Sequence, residues 1–176
     1  MAKAFVLLVC EPGSDDNVVS KLLSMETVTS ARGVFGLYDV IAQLNSDSLE
    51  ILEDVITKKI RRLEKILKTI TLLTETRTEV LDEVFAQKQK DLGKDTVEAF
   101  IIVSCKNMNE HNILVNLSKI PEVIDSDIVL GHDVIICKVS APTYNDIEDI
   151  VTKKIRKLQG IISTMTLNVI PDKQIH

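Results

Sequence analysis

One pattern occurs twice in this chain, and that repetition most constrains what it can fold into. Thr57-Lys58-Lys59-Ile60-Arg61 returns as Thr152-Lys153-Lys154-Ile155-Arg156, and Phe5-Val6-Leu7-Leu8-Val9-Cys10 returns as Phe100-Ile101-Ile102-Val103-Ser104-Cys105, both 95 residues later. Between residues 57–72 and 152–167, 10 of 16 positions are identical without a gap. A period this long, present twice, excludes a solenoid of short units and requires two copies of one small fold. The expected organisation is a first repeat over 1–75, a connecting helix over 76–95 and a second repeat over 96–176.

Charge and apolar content narrow the class. The formal charge of −5 argues against direct nucleic-acid binding, which rests on lysine and arginine contacts to phosphates. No apolar stretch approaches the roughly 20 residues of a membrane span, and no signal peptide is visible. Cys10, Cys105 and Cys137 are odd in number and lie in apolar runs, which fits reduced thiols and a cytoplasmic location.

Each repeat predicts six elements. In the first, 4–10 is a continuous apolar run and a buried strand, and Ser14 or Asp15 caps a helix striped by Val18, Val19, Leu22 and Leu23. Strands follow over 28–34 and 38–44. Asp47 with Glu50 forms a near capping box for a helix striped by Leu49, Leu52, Ile56, Ile60 and Leu63, and 68–74 is the last strand. The order β-α-β-β-α-β is ferredoxin-like. The second repeat gives strands over 97–105, 124–130, 133–139 and 163–170, with helices at Ile113, Leu114 and Leu117 and over 145–158. Between its middle strands, Gly131-His132-Asp133 stands for Gly36-Leu37-Tyr38-Asp39 and is read as one residue shorter, leaving Tyr38 without a counterpart. In the connecting segment, Thr76 with Glu79 reads as a capping box, Val80, Leu81, Val84 and Phe85 as an apolar stripe, and Gly93 as the stop.

These residues resemble a family. Ala4-Phe5-Val6-Leu7, Val28, Gly36-Leu37-Tyr38-Asp39-Val40 and Thr69-Ile70-Thr71-Leu72 look like the effector-binding domain of Lrp/AsnC regulators, the regulation-of-amino-acid-metabolism domain. The second repeat matches through Ile120-Pro121-Glu122-Val123, Gly131-His132-Asp133 and Thr164-Met165-Thr166-Leu167. Family members usually carry a helix-turn-helix before one such domain, and none is visible here. The resemblance implies an α+β fold in which two ferredoxin-like repeats form an intramolecular dimeric α+β barrel, a covalent pseudo-dimer. It implies a small-molecule effector, often an amino acid, held between dimers near the Gly-x-Tyr-Asp turn. The site residues it implies are Gly36, Tyr38 and Asp39, with Gly131 and Asp133 in the second repeat. Asp39 would receive the α-amino group and the turn's backbone N–H groups the carboxylate.

Each candidate also has a structural explanation. Gly-x-Tyr-Asp is good hairpin chemistry. Thr69, Thr71, Thr164 and Thr166 could donate hydroxyl hydrogen bonds to an effector, and threonine also suits a half-buried pleated surface. Duplicate Cys10 and Cys105 lack metal-ligand spacing, and His111, His132 and His176 are scattered, so no metal, cofactor or catalytic set is assigned. The clusters Lys58-Lys59-Arg61-Arg62 and Lys153-Lys154-Arg156-Lys157 fit helix C-termini. The expected function is a stand-alone effector sensor, not an enzyme, acting in transcription regulation through homo-oligomers or assembly with helix-turn-helix paralogues. Two rivals stay open: a barrel enzyme, revived by an inward Lys106, Asp39 or His132, and a subunit that binds no ligand.

Overall fold

The computed structural model describes residues 1–171. His176 lies outside the described residues. The chain divides into two compact units, 1–76 and 77–171 among those residues. The connecting helix therefore belongs with the second repeat.

In the first unit, β1 (Ala2–Cys10), α1 (Asp15–Leu23), β2 (Val28–Phe35), β3 (Val40–Ser46), α2 (Leu49–Val55) and β4 (Ile66–Leu73) follow in order. Its antiparallel strands lie in the order β4-β1-β3-β2. Alternation across the pleat sends Ala4, Val6, Leu8 and Cys10 into one core with Val18, Leu22, Leu52, Ile56 and Ile60 from the helices. Phe5, Leu7 and Ile41 on the opposite face are also buried, which is why β1 reads as a continuous apolar run.

The second unit starts with the connecting helix α3 (Glu79–Lys90) and continues with β5 (Val97–Cys105), α4 (Glu110–Ser118), β6 (Val123–Val129), β7 (Val134–Ala141), α5 (Tyr144–Ile150) and β8 (Ile161–Val169). Its strands are ordered β8-β5-β7-β6. Phe85 fixes α3 to this core, fully buried with Ile113, Leu117, Val123 and Ile128. The Lys88 ammonium donates to three carbonyls at the end of α4 and the start of β6: Ser118 at 2.6 Å, Ile120 at 2.8 Å and Val123 at 2.8 Å. Burial lowers its pKa, with the Glu122 charge pulling the other way. Arg77 anchors the other end on Asp82, Asp125 and the Ser126 carbonyl. Burial disfavours its charge, yet Asp127 and Asp125 outweigh that and raise its pKa.

The spacing of 95 holds through every strand. Ala4 faces Leu44 and Ala99 faces Val139; Leu8 faces Val40 and Val103 faces Ile135. The second turn is therefore not one residue shorter. Tyr38 corresponds to Asp133, and Asp39 to Val134; the shared Gly-Asp lettering had suggested a gap that the strand register rules out.

Helix starts also differ from the expected caps. Ser48, not Asp47, caps α2 by accepting from the Ile51 N–H. Thr78, not Thr76, caps α3 by accepting from Leu81, and α3 ends at Lys90 with Asp91 as its C-cap, before Gly93. A true capping box exists at Thr143 and Asp146. In each case an extended backbone at the cap brings the hydroxyl to the third N–H. Leu49, Leu23 and Val80 leave their expected stripes and are exposed.

The expected long second helices contain a further departure. After α2 the chain makes one π turn over Ile56–Ile60, and after α5 another over Val151–Ile155. The wide turns are closed by the Arg61 N–H on the Ile56 carbonyl at 2.9 Å and the Arg156 N–H on the Val151 carbonyl at 2.8 Å. Ile60 and Ile155 plug the core while the lysines face outward.

Candidate functional site

Two groups of expected site residues occupy different places. In the first repeat's turn, one Asp39 carboxylate oxygen accepts the Cys10 N–H at 2.9 Å, and the Asp39 N–H donates to the Leu8 carbonyl at 2.9 Å. The side chain thus ties the start of β3 to the end of β1. Gly36 takes φ of +140°, which favours glycine, and is exposed beside half-buried Tyr38. In the second repeat the same N–H, that of Cys105, is met by the Asp133 backbone carbonyl at 2.9 Å. Asp133 itself sits at φ +50° next to Gly131 at +77°, both exposed. Backbone has replaced side chain at that joint, so the second turn needs no carboxylate there.

The threonines lie elsewhere. Thr164, Thr166 and Asn168 pair with Val103, Ile101 and Ala99, whose side chains enter the core under the helices. They therefore share the helix-covered face, as Thr69 and Thr71 do opposite Leu8 and Val6. In the second repeat this rail forms one wall of a cleft of about 410 Å³. The other wall is α5 and its π turn, with Tyr144, Glu148, Thr152 and Arg156 on the lining. Cavities of this size suit small molecules.

The cleft has two chemically distinct ends. A short loop joins the π turn to β8, so Arg156 and Thr152 lie toward Thr164, while Tyr144 lies toward Asn168. The Tyr144 hydroxyl donates to the Val169 carbonyl at 2.5 Å and fixes that end. The Thr152 hydroxyl donates to the Glu148 carbonyl at 2.9 Å. The Asn168 Oδ1 is buried and accepts no hydrogen bond among the described residues, as is the Thr71 hydroxyl in the first repeat. A π turn widens a helix by one residue and often marks a functional site.

Of the sequence candidates, Thr164 and Thr166 line this cleft, beside Tyr144, Glu148, Arg156 and Asn168, which sequence reasoning did not single out as site residues; nor did it foresee the π turns. A signal was available. Glu148, Thr152, Arg156, Thr164 and Thr166 recur 95 residues earlier as Glu53, Thr57, Arg61, Thr69 and Thr71. Four of these pairs lie within the most faithfully repeated stretch, which also carries the basic helix ends.

The remaining candidates are set apart from the cleft. Cys10, Cys105 and Cys137 are buried free thiols. Burial pushes the Cys105 thiol up to about 11, aided by Glu110 and Asp133. It pushes Cys137 up to about 12 against the opposing Ser126 hydrogen bond, and it raises Cys10 too. All three are therefore held as thiols at neutral pH. Lys106, His111 and His132 are exposed. Lys58 pairs with Asp54 at 3.5 Å and Lys153 with Asp149 at 3.5 Å, each one helical turn back on an exposed face. Among the described residues, no group of three or more His, Cys, Asp or Glu could hold a metal ion, and no helix is long and apolar enough to cross a membrane.

A family model of the Lrp/AsnC ligand binding domain matches the chain twice, over residues 3–77 and 98–172. Among solved structures, FFRP-DM1 is 39% identical with a TM-score of 0.41, and the match covers 43% of this chain and 100% of that one. A mutant chlorite dismutase from Candidatus Nitrospira defluvii in complex with cyanide is 9% identical with a TM-score of 0.54, covering 97% of this chain and 90% of that one. An anthrone oxidase-like protein is 9% identical with a TM-score of 0.58, covering 97% and 91%. At these identities the last two show the fold alone, two ferredoxin-like repeats of the dimeric α+β barrel class. No curated protein matches the chain.

Proposed function

Since the chain belongs to the Lrp/AsnC ligand binding domain family in two copies, we propose that it is an effector sensor for a free amino acid, with the second-repeat cleft as its site. The sensor acts in transcription regulation by assembling with itself or with a DNA-binding paralogue. One observation carries this reading: the cleft sets a carboxylate, Glu148, and a guanidinium, Arg156, on one helical stripe facing the hydroxyls of Thr164 and Thr166. An ammonium requires acceptors and a carboxylate requires donors, and a planar guanidinium is well matched to a carboxylate. The protein is a binder rather than a catalyst in this reading.

A thermal-shift screen of the twenty common amino acids tests it. Ligand at a hundred times its dissociation constant adds about 2.7 kcal/mol. For a chain of this size that is a rise of about 5–10 °C in Tm. The variants Arg156→Met and Thr166→Val should remove the rise while leaving the unliganded Tm within about 2 °C, since both side chains face the cleft rather than the core. No shift with any amino acid would overturn the ligand class. A shift that survives both variants would overturn the site.

A further inference from the structure

We infer that β6 is a strand-accepting edge held shut by α3, and that the partner it fits is an extended basic segment with cations at alternate positions. One side of β6 pairs with β7, from Val123 opposite Val139 to Val129 opposite Val134. Its other side meets side chains of the connecting segment. Gln89 Nε2 donates to the Ile124 carbonyl at 3.0 Å, and Arg77 donates to the Ser126 carbonyl at 2.9 Å. Lys88 donates to the Val123 carbonyl at 2.8 Å, and the Ser126 N–H donates to the Asp125 carboxylate at 3.1 Å. An open strand edge offers a row of such carbonyls and N–H groups, and covering it with a helix keeps it from pairing. Here the cap supplies through side chains the donors that a neighbouring strand supplies through its backbone.

The charges along β6 select what could replace the cap. Asp125 and Asp127 stand opposite Lys138 and Ile136, whereas Ser126 and Ile128 stand opposite Cys137 and Ile135, which enter the core under the helices. The two carboxylates therefore share the helix-free face of the strand. The fold does not require them, because the same positions in the first repeat are Ser30 and Arg32. Arg77 answers both, bonding Asp125 and lying 3.7 Å from Asp127. Across paired strands, like charges directly opposed are unfavourable and opposite charges favourable. A second β6 laid antiparallel on this edge would set carboxylate against carboxylate. A basic strand would set its cations where Arg77 now lies. Strand addition of this kind takes affinity from backbone hydrogen bonds and selectivity from alternate side chains. The cap itself is held by few contacts: Phe85 is the buried residue of α3, while Val80 and most of its polar side chains are exposed.

The lining of the effector cleft includes no residue of α3 or β6, so the edge can be tested apart from it. In the full chain, Lys88→Ala with Gln89→Ala removes two donors of the cap. Arg77→Gln alone removes the cation and leaves Phe85 in place, which covers the case in which the double variant does not fold. Faster hydrogen exchange at the α3 amides reads release of the helix. Fluorescence anisotropy then follows two labelled peptides, one alternating lysine with threonine and one alternating glutamate with threonine. The released variants should bind the lysine peptide about tenfold more tightly than wild type does and leave the glutamate peptide unbound. Adding Asp125→Asn and Asp127→Asn should abolish that gain. No gain over wild type, or a gain that survives the two asparagines, overturns the basic-strand site. Exchange at α3 as slow as in wild type in both variants overturns the assignment of these side chains as the latch. A rise in mass by light scattering without peptide gives the edge to a second copy and overturns the basic partner.

Discussion

At the scale of the residue, Asp39 shows how one motif serves two ends. The sequence places it in a Gly-x-Tyr-Asp turn that resembles an effector contact, and the structure gives its carboxylate a local partner, the Cys10 N–H. Removing it leaves that amide without an acceptor, a loss of about 1–2 kcal/mol for a partly buried, charge-assisted bond. Asp39→Ala should therefore lower the unliganded Tm by about 2–8 °C, and Asp39→Asn should lower it less because an amide oxygen still accepts. Differential scanning calorimetry with and without effector separates the roles. An effector-induced rise that persists in Asp39→Ala assigns the residue to the joint; a rise that vanishes returns it to the binding site. Val134, its counterpart by register, shows that the joint can be made without a carboxylate, through the Asp133 carbonyl.

At the scale of the element, the two π turns matter most. Each inserts one residue before an arginine, of which Arg156 lines the second-repeat cleft, and each is anchored by buried isoleucine or valine at its ends: Ile56 and Ile60, Val151 and Ile155. Deleting exposed Lys153 should convert the second π turn to regular α-helix and leave Arg156 on the cleft side, because four α steps of about 100° sweep nearly the angle of the five-residue wide turn. Circular dichroism should show helicity retained, and the effector-induced Tm rise should be kept. The matching deletion of Lys58 in the first repeat should also leave that rise intact. A rise lost on the Lys153 deletion alone would mean that the width of the π turn itself positions the site. Sequence gave no warning of these turns, because a π turn keeps the apolar spacing of an amphipathic helix over so few residues that the two cannot be told apart by periodicity. The connecting helix was better marked: Phe85 is the one large aromatic on its stripe, and it is the residue that reaches the core.

At the scale of the whole molecule, a sensor that works through assembly couples effector affinity to oligomer state, and the coupling is reciprocal. The apparent Kd for the effector should then depend on protein concentration, and light scattering should show the mass distribution move when effector is added. A mass and a Kd both indifferent to concentration would leave effector binding without an assembly readout. Net charge bears on this only indirectly: at −5 the chain is poorly suited to bind DNA through its own surface.

The sequence by itself determined the duplication, the βαββαβ order and the family, because these follow from local apolar periodicity and from identities at a constant spacing that need no coordinates to see. It determined too that the threonines of the last strands belong among the site candidates. Only the tertiary structure decided that Thr164 and Thr166 line a cleft with Arg156 and Glu148, that Asp39 is already engaged, and that Asp133 answers to Tyr38. Each of these depends on which strand lies beside which and in what register. Register is set by packing over a whole sheet, and a shift of one residue turns every side chain to the other face.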